Sequence, residues 1–186
     1  MKQWDEFFFK KFTLREVIFL GFCATFMIIT RSGLRLHLNI PGHAMFFTMF
    51  FFILASGCVP KMWAATLVGL VAGCIAILLG IGKEGPLMLL KFILPGFLVD
   101  CSRAIYPRMA TNYVACAVVG IIGSASRFLT VLIADALVGM EWAVIMDHAI
   151  FSSLMGMIFG ALGALMVPLV VRRLEAHKLL HRDVSS

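Results

Sequence analysis

Six long apolar segments alternate along the chain with short breaks that contain glycine, proline or charged residues. A helix needs roughly 17–25 mainly apolar residues to cross the hydrocarbon core of a bilayer, and glycine, proline and charge mark the ends of such segments. The pattern therefore predicts an all-α fold, a six-transmembrane-helix bundle. The predicted spans cover residues about 14–31, 43–59, 62–81, 87–102, 111–138 and 147–171.

Composition supports a lipid environment for these segments. Of the 186 residues, 61% are hydrophobic and 14% are charged, whereas a soluble domain has about 25% charged residues. A chain of this length has no room for a second sizeable domain. We therefore expect one integral membrane domain over residues 1–186, whose last part, 172–186, is a basic cytoplasmic tail.

Local signals predict how two of the helices begin or bend. The opening segment carries Trp4 and Phe7–Phe9 next to lysines, which is typical of an interfacial segment. Thr13 and Glu16 have the T-x-x-E spacing of a capping box, which predicts a helix start. Pro95 and Gly96 lie inside the fourth span and predict a kink there.

Lysine and arginine set the predicted orientation, because cytoplasmic loops carry an excess of both. With both termini in the cytoplasm, the outer loops contain Arg31, Arg35 and Lys83. The cytoplasmic segments then contain the larger set: Lys2, Lys10, Lys11, Arg15, Lys61, Arg103, Arg108, Arg172, Arg173, Lys178 and Arg182. The net charge of +6 is explained mainly by this asymmetry, so it does not indicate a nucleic-acid partner.

Polar side chains cluster in the first outer loop, directly before an apolar wall of phenylalanine and methionine. Arg35, His37, Asn39 and His43 flank the Pro41-Gly42 break. One interpretation is an outward-facing mouth for a ligand. The alternative is that the arginines extend to lipid phosphates and that His43 caps the second helix.

Two basic residues fall inside predicted spans, where a charge is costly and usually faces a cavity or a partner. Lys91 lies about one turn into the fourth span, and Arg127 lies inside the fifth. Both are predicted in the outer half, so we interpret them as ligand-binding residues. The alternative is structural pairing, for example of Arg127 with Asp135. Asp100 is expected to be structural, with Arg103 as its companion.

Small residues at four-residue spacing predict close helix contacts in lipid. Such stripes include Ala65, Gly69 and Gly73, and further along Gly120 and Ser124, then Gly156, Gly160 and Ala164. The first span offers Gly21 and Thr25. A stripe that the bundle itself does not use would be a docking face for a partner, and the pattern alone does not identify it.

Motifs for catalysis or metal binding are missing from the sequence. There is no glycine-rich phosphate loop, no G-x-S-x-G element and no C-x-x-C or H-E-x-x-H pair. We therefore expect neither an enzyme nor a metal site. Because His37, His43 and His148 share the predicted outer side, a ligand that carries its own metal, such as haem or a corrinoid, stays open.

Several segments resemble the substrate-binding S-components of energy-coupling-factor (ECF) transporters. These are "NIPGHAMFF" at 39–47, "AATLVGLVAG" at 64–73 and "GPLMLLKFILPGFLVD" at 85–100, the last being similar to a K-[FY]-x-L-P-G-x-x-x-D element of that group. In place of the alanine-rich A-x-x-x-A stripe of many members, this chain has Gly21, Ala24 and Thr25.

The resemblance implies a substrate-capture subunit in the cytoplasmic membrane of a prokaryote that takes up a vitamin or related micronutrient. A transmembrane coupling subunit and a pair of ATPases would be its partners, docked at Gly21, Ala24 and Thr25. It also implies a substrate site, made of Arg35, His37, Asn39, His43, Lys91, Arg127 and Trp142. Two other hypotheses stay open: a small homo-oligomeric transporter or channel-like protein, and an assembly subunit without a transport function.

Overall fold

The computed structural model describes residues 12–35, 42–59, 61–81, 87–107, 109–139 and 141–176. These residues form six α-helices and one short 3₁₀ turn, Met109–Thr111, and they contain no strand. The all-α prediction is therefore confirmed for this part of the chain. The helices are α1 Leu14–Arg35, α2 Ala44–Cys58, α3 Ala64–Leu78, α4 Leu87–Ile105, α5 Tyr113–Val138 and α6 Trp142–Ala176.

Two helices are long and apolar enough to cross a membrane, judged by length and composition within the described residues. These are the segments Tyr113–Leu137 and Trp142–Leu174. Helices α2 and α3 are equally apolar in character but have 15 residues each. Helix α4 has 19 residues and includes Lys91, Asp100 and Arg103. The further crossings and the cytoplasmic termini remain predictions.

The predicted helix positions agree with the structure to within a few residues, except at three ends. Helix α1 continues to Arg35, and α6 begins at Trp142 and extends to Ala176, where the apolar pattern had predicted 14–31 and 147–171. Charged residues make the added segments 32–35 and 172–176 polar, which hides these turns in the apolar pattern. The added residues 142–146 are apolar, but Asp147 separates them from the longer apolar run. Helix α4 continues through Pro95 without interruption.

The helices run alternately up and down. Glu16 at the start of α1 pairs with Lys61, which follows α2, and Gly69 of α3 packs on Phe92 of α4. We call the end where α1, α3 and α5 finish the upper end of the bundle, and the opposite end the lower end. The described residues that flank the predicted outer loops lie at the upper end.

Glycines allow α3 and α4 to pack at backbone distance. A Cβ added at Gly69 would lie 2.5 Å from the Phe92 carbonyl oxygen, and one at Gly96 would lie 2.7 Å from that of Ala65. A Cβ at Gly73 would lie 3.2 Å from the Leu89 Cα. The stripe predicted on the third helix is therefore used inside the bundle.

The α5–α6 contact uses the other two predicted stripes. A Cβ at Gly120 would lie 2.7 Å from that of Ala164, and a Cβ at Gly160 would overlap the hydroxyl of Ser124. Gly163 faces the carbonyl oxygen of Phe46, which brings α2 against α6 as well. Helix α6 therefore packs closely on two neighbours.

The Glu16 half of the predicted capping box is present at the start of α1. The Glu16 carboxylate accepts a hydrogen bond from the backbone N–H of Thr13, at 2.6 Å. The same carboxylate pairs with Lys61, whose side chain is 6% exposed. Lys61 also lies 5.3 Å from the centroid of the Phe12 ring. The capping residue thus ties α1 to the connection between α2 and α3.

Candidate functional site

Arg127 enters the upper half of the bundle between α5 and α6. Its side chain is half-buried, and its Nε donates a hydrogen bond to the Ser152 hydroxyl at 2.9 Å. Its Cδ would lie 3.3 Å from a Cβ added at Gly156, so the missing side chain there leaves space for the arginine stem. The small-residue stripe of α6 therefore serves Arg127 as well as helix packing.

Gly42, two residues before α2, reaches the same turn of α6. Gly42 has a φ of 94°, a conformation that favours glycine, and a Cβ there would lie 2.9 Å from the Gly156 nitrogen. His43 follows and is half-buried. Its side chain makes no capping hydrogen bond to the start of α2 in the described structure. Gly42 and the stem of Arg127 thus both lie against Gly156 of α6.

A second basic group lies where α1 meets α4. The Arg31 guanidinium carbon lies 4.8 Å from the centroid of the Phe92 ring, and that ring is fully buried. Lys91 precedes Phe92, in the second turn of α4, and is half-buried. Stacking on an aromatic face stabilises a desolvated guanidinium, so Arg31 is held against α4.

The structural pair that the sequence suggested for Arg127 is formed differently. Asp135 lies 2.7 Å from Nδ1 of His148, and the two side chains are 17% and 56% exposed respectively. The pair links the end of α5 to the start of α6. Arg127 bonds instead to Ser152, one turn after His148.

The remaining residues of the predicted substrate site are placed as follows. Trp142 is the first residue of α6 and is 65% exposed. His37 and Asn39 lie outside the described residues, and of Arg35 only the backbone is described. The structure therefore places Arg127 and Gly42, the residue before His43, at the same turn of α6, and Lys91 on the adjoining α4. The assignment of all seven to a substrate remains a prediction.

Ser152 was missed by the sequence analysis, although the signal was present. It lies four residues before Gly156, so it continues the small-residue stripe of α6 by one step. A serine in that register presents a hydroxyl where the next helix is close. Extending the stripe would have predicted a contact with α5 at this level.

The structure divides the predicted docking residues of α1 between two faces. Ala24 is fully buried in the bundle core. Gly21 and Thr25 lie on the open side: a Cβ at Gly21 would meet no described atom within 4 Å, and the exposed Thr25 hydroxyl bonds back to the Gly21 carbonyl at 2.9 Å. Phe22 and Phe26, 61% and 49% exposed, border this face.

Asp100 lies at the lower end and has a structural position, away from the cationic groups described above. Its carboxylate accepts hydrogen bonds from the backbone N–H groups of Ala65 and Thr66, at 3.1 and 2.8 Å, and from the Thr66 hydroxyl at 2.7 Å. It therefore caps α3. Arg103 donates to the Ser56 hydroxyl at 3.2 Å and interacts electrostatically with Asp100.

Candidate metal ligands do not gather in the described residues: no group of three or more His, Cys, Asp or Glu side chains is placed to hold a metal ion there. Comparisons with protein-family models, with curated proteins and with solved structures find no match.

Proposed function

We propose that the chain is a membrane-embedded substrate-capture subunit for uptake of a vitamin or related micronutrient, similar to the S-components of ECF transporters. On this proposal it crosses the cytoplasmic membrane of a prokaryote six times, with both termini inside. Two helices of membrane-spanning length and composition support the membrane location. The alternating direction of the helices is compatible with repeated crossing.

The observation that carries the proposal is the position of three basic side chains. Arg31, Lys91 and Arg127 are each partly buried, and all lie in the upper half of the bundle on three different helices. Basic groups at this depth are costly in a bilayer, and charge-assisted hydrogen bonds to carboxylate or phosphate offset such a cost. An anionic group of a small substrate would be held by Lys91 and Arg127.

A coupling subunit is the proposed partner at the open face of α1. The stripes on α3, α5 and α6 are occupied by contacts within the chain. Gly21 and Thr25 retain a small-residue surface on the outside of α1, and in lipid such surfaces favour close helix association. Because the chain contains no nucleotide-binding loop, the energy for uptake would come from separate ATPases bound to that subunit.

Purification from the native membrane tests the proposal. The full-length protein is isolated in mild detergent, and both the proteins and the small molecules that accompany it are identified by mass spectrometry. We expect one transmembrane subunit, a pair of ATPases and a molecule with a carboxylate or phosphate. Recovery of a homo-oligomer alone, without a small molecule, would support the homo-oligomeric alternative and contradict the proposal.

A further inference from the structure

A wide groove runs between α5 and α6 on the outside of the bundle. It has a volume of about 360 Å³ and is lined by Ala125, Phe128, Ile150, Ser153, Leu154 and Met157. Successive helix residues are turned by about 100°, so this lining lies on different faces from those that carry Arg127 and Ser152. Ligand sites have volumes of about 300–1,000 Å³, so the groove is large enough to hold part of a small amphiphile.

One polar atom in the groove wall has no partner. Ser153 is 3% exposed, and its Oγ makes no hydrogen bond to any described residue. Buried hydroxyl groups in folded proteins almost always have a partner, because desolvating them without one is unfavourable. A carbonyl oxygen of a molecule seated in the groove is a suitable acceptor for this hydroxyl.

Two carboxylates continue the groove toward the upper end. Asp147 lies three residues before Ile150 and Asp135 lies seven residues after Phe128, so each shares a helix face with the lining. Asp147 is exposed, while Asp135 is held by His148. The helix rise places Asp147 about 9 Å above Ser153 along α6.

Toward the upper end, the groove offers first apolar walls, then a hydroxyl without a partner, and then negative charge. This order matches one class of molecule. We propose that the groove binds a phospholipid with a primary-ammonium headgroup, of the phosphatidylethanolamine type. An acyl chain fills the apolar part, an ester carbonyl accepts a hydrogen bond from Ser153, and the ammonium group donates to Asp147 and Asp135. This inference depends on the proposed membrane location and does not depend on transport.

Lipid titration of the purified, delipidated full-length protein tests the site. Binding of phosphatidylethanolamine, phosphatidylcholine and phosphatidylglycerol with identical acyl chains is measured by native mass spectrometry. We expect one tightly bound phosphatidylethanolamine per chain, with a Kd about tenfold lower than that of the other two lipids, since it alone donates hydrogen bonds from a cation. Equal affinity for all three lipids would overturn the proposal.

Two substitutions test the apolar part of the groove. Ala125→Phe fills it and should abolish the tight site, whereas Val114→Phe on the 71% exposed surface of the same helix should bind like the wild type. Ser153→Ala removes a single oxygen, so it remains informative if Ala125→Phe does not fold. The Ser153→Ala substitution should weaken the binding of phosphatidylethanolamine and of phosphatidylcholine by the same factor, because both lipids have the ester carbonyl. Wild-type affinity in the Ser153→Ala protein would contradict the role of this hydroxyl.

The charged part is tested by Asp147→Asn. This variant should lose the roughly tenfold preference for phosphatidylethanolamine over the other two lipids. The control Glu141→Gln removes an exposed carboxylate at the same end of the bundle and should keep the preference. Retained preference in Asp147→Asn would overturn the headgroup assignment. Lipid binding without any accompanying substrate would leave this site supported and would count against the proposed transport function alone.

Discussion

Asp100 and Arg103 are nearly fully buried in α4, and each has a polar partner on a different helix. Asp100 receives three hydrogen bonds from the start of α3, and Arg103 bonds to Ser56 of α2. The residue just before α3, Trp63, has a φ of 72°, which is uncommon for a bulky side chain. Capping by Asp100 fixes the two N–H groups that follow this turn and so stabilises the strained connection.

Replacing Asp100 by Ala should lower the free energy of unfolding by about 2 kcal/mol, since it removes the cap of α3 and leaves buried donors unpaired. SDS titration in mixed micelles measures the change. Thr66→Val is the matched control, because it removes one of the three hydrogen bonds and should cost about 1 kcal/mol. If Asp100→Ala lowers the free energy of unfolding by no more than Thr66→Val does, the hydrogen bonds from the backbone N–H groups contribute little to stability.

Replacing Lys91 or Arg127 by Ala should reduce substrate uptake at least about tenfold, the effect of losing one charge-assisted hydrogen bond to an anion. Membrane insertion should be unchanged. Uptake of the substrate identified by mass spectrometry is measured in membrane vesicles, with Arg173→Ala, an exposed change at the lower end, as control. Wild-type uptake in both variants would contradict their assignment to the substrate.

The sequence predicted the special positions of these charges better than their partners. Lys91, Arg127 and Asp100 stand out in the sequence because each lies within an apolar run, where burying a charge is unfavourable. Partners depend on how the helices are rotated against each other, which no single run contains. Asp135 therefore pairs with His148, Arg127 with Ser152 and Asp100 with the backbone of α3, none of which the spacing indicated.

At the scale of helices, small residues have two different roles. Gly69, Gly120 and Gly160 lie where backbones of neighbouring helices meet, and Gly21 faces open space. The sequence predicted that these stripes would mark contacts. It did not predict which stripe the bundle leaves unused, because that depends on the packing of all helices together.

Gly160→Leu should destabilise the protein by at least about 3 kcal/mol, since the new side chain would overlap Ser124 and the Gly120 carbonyl oxygen in a tightly packed contact. The expected result is a lower yield of monodisperse protein and a lower melting temperature in detergent. A melting temperature equal to that of the wild type would contradict close α5–α6 packing at this residue.

Gly21→Leu should behave in the opposite way. A Cβ there would meet no described atom within 4 Å, and the position faces the open side of α1, so yield and melting temperature should equal those of the wild type. A bulky residue would nevertheless block a partner helix on this face. We expect the coupling subunit to be lost from the purified complex, as judged by mass spectrometry. Unchanged co-purification would exclude the Gly21 side of α1 as the docking face.

At the scale of the whole molecule, charge is distributed unequally between the two ends. Among the described residues, the lower end holds five basic residues, Arg15, Lys61, Arg103, Arg172 and Arg173, and three acidic ones, Glu16, Asp100 and Glu175. Glu16 and Asp100 are bound within the bundle. Arg172 is itself fixed there, bonding to the Thr111 carbonyl at 3.2 Å. The upper end carries exposed carboxylates at Glu141 and Asp147. On the proposed membrane location, the positive-inside rule predicts that the lower end faces the cytoplasm.

Reporter fusions test this orientation and the number of crossings together. Alkaline phosphatase, which is active outside the cytoplasm, should be active when joined after Gly139, in the turn between α5 and α6, and inactive when joined after Pro107, between α4 and the 3₁₀ turn. A fluorescent protein that folds in the cytoplasm should show the reverse. The two sites differ by one helix, α5, so opposite results require α5 to cross the membrane. Equal phosphatase activity at both sites would mean that α5 does not cross the membrane. Phosphatase activity after Pro107 alone would invert the bundle and place Lys91 and Arg127 in the half that faces the cytoplasm.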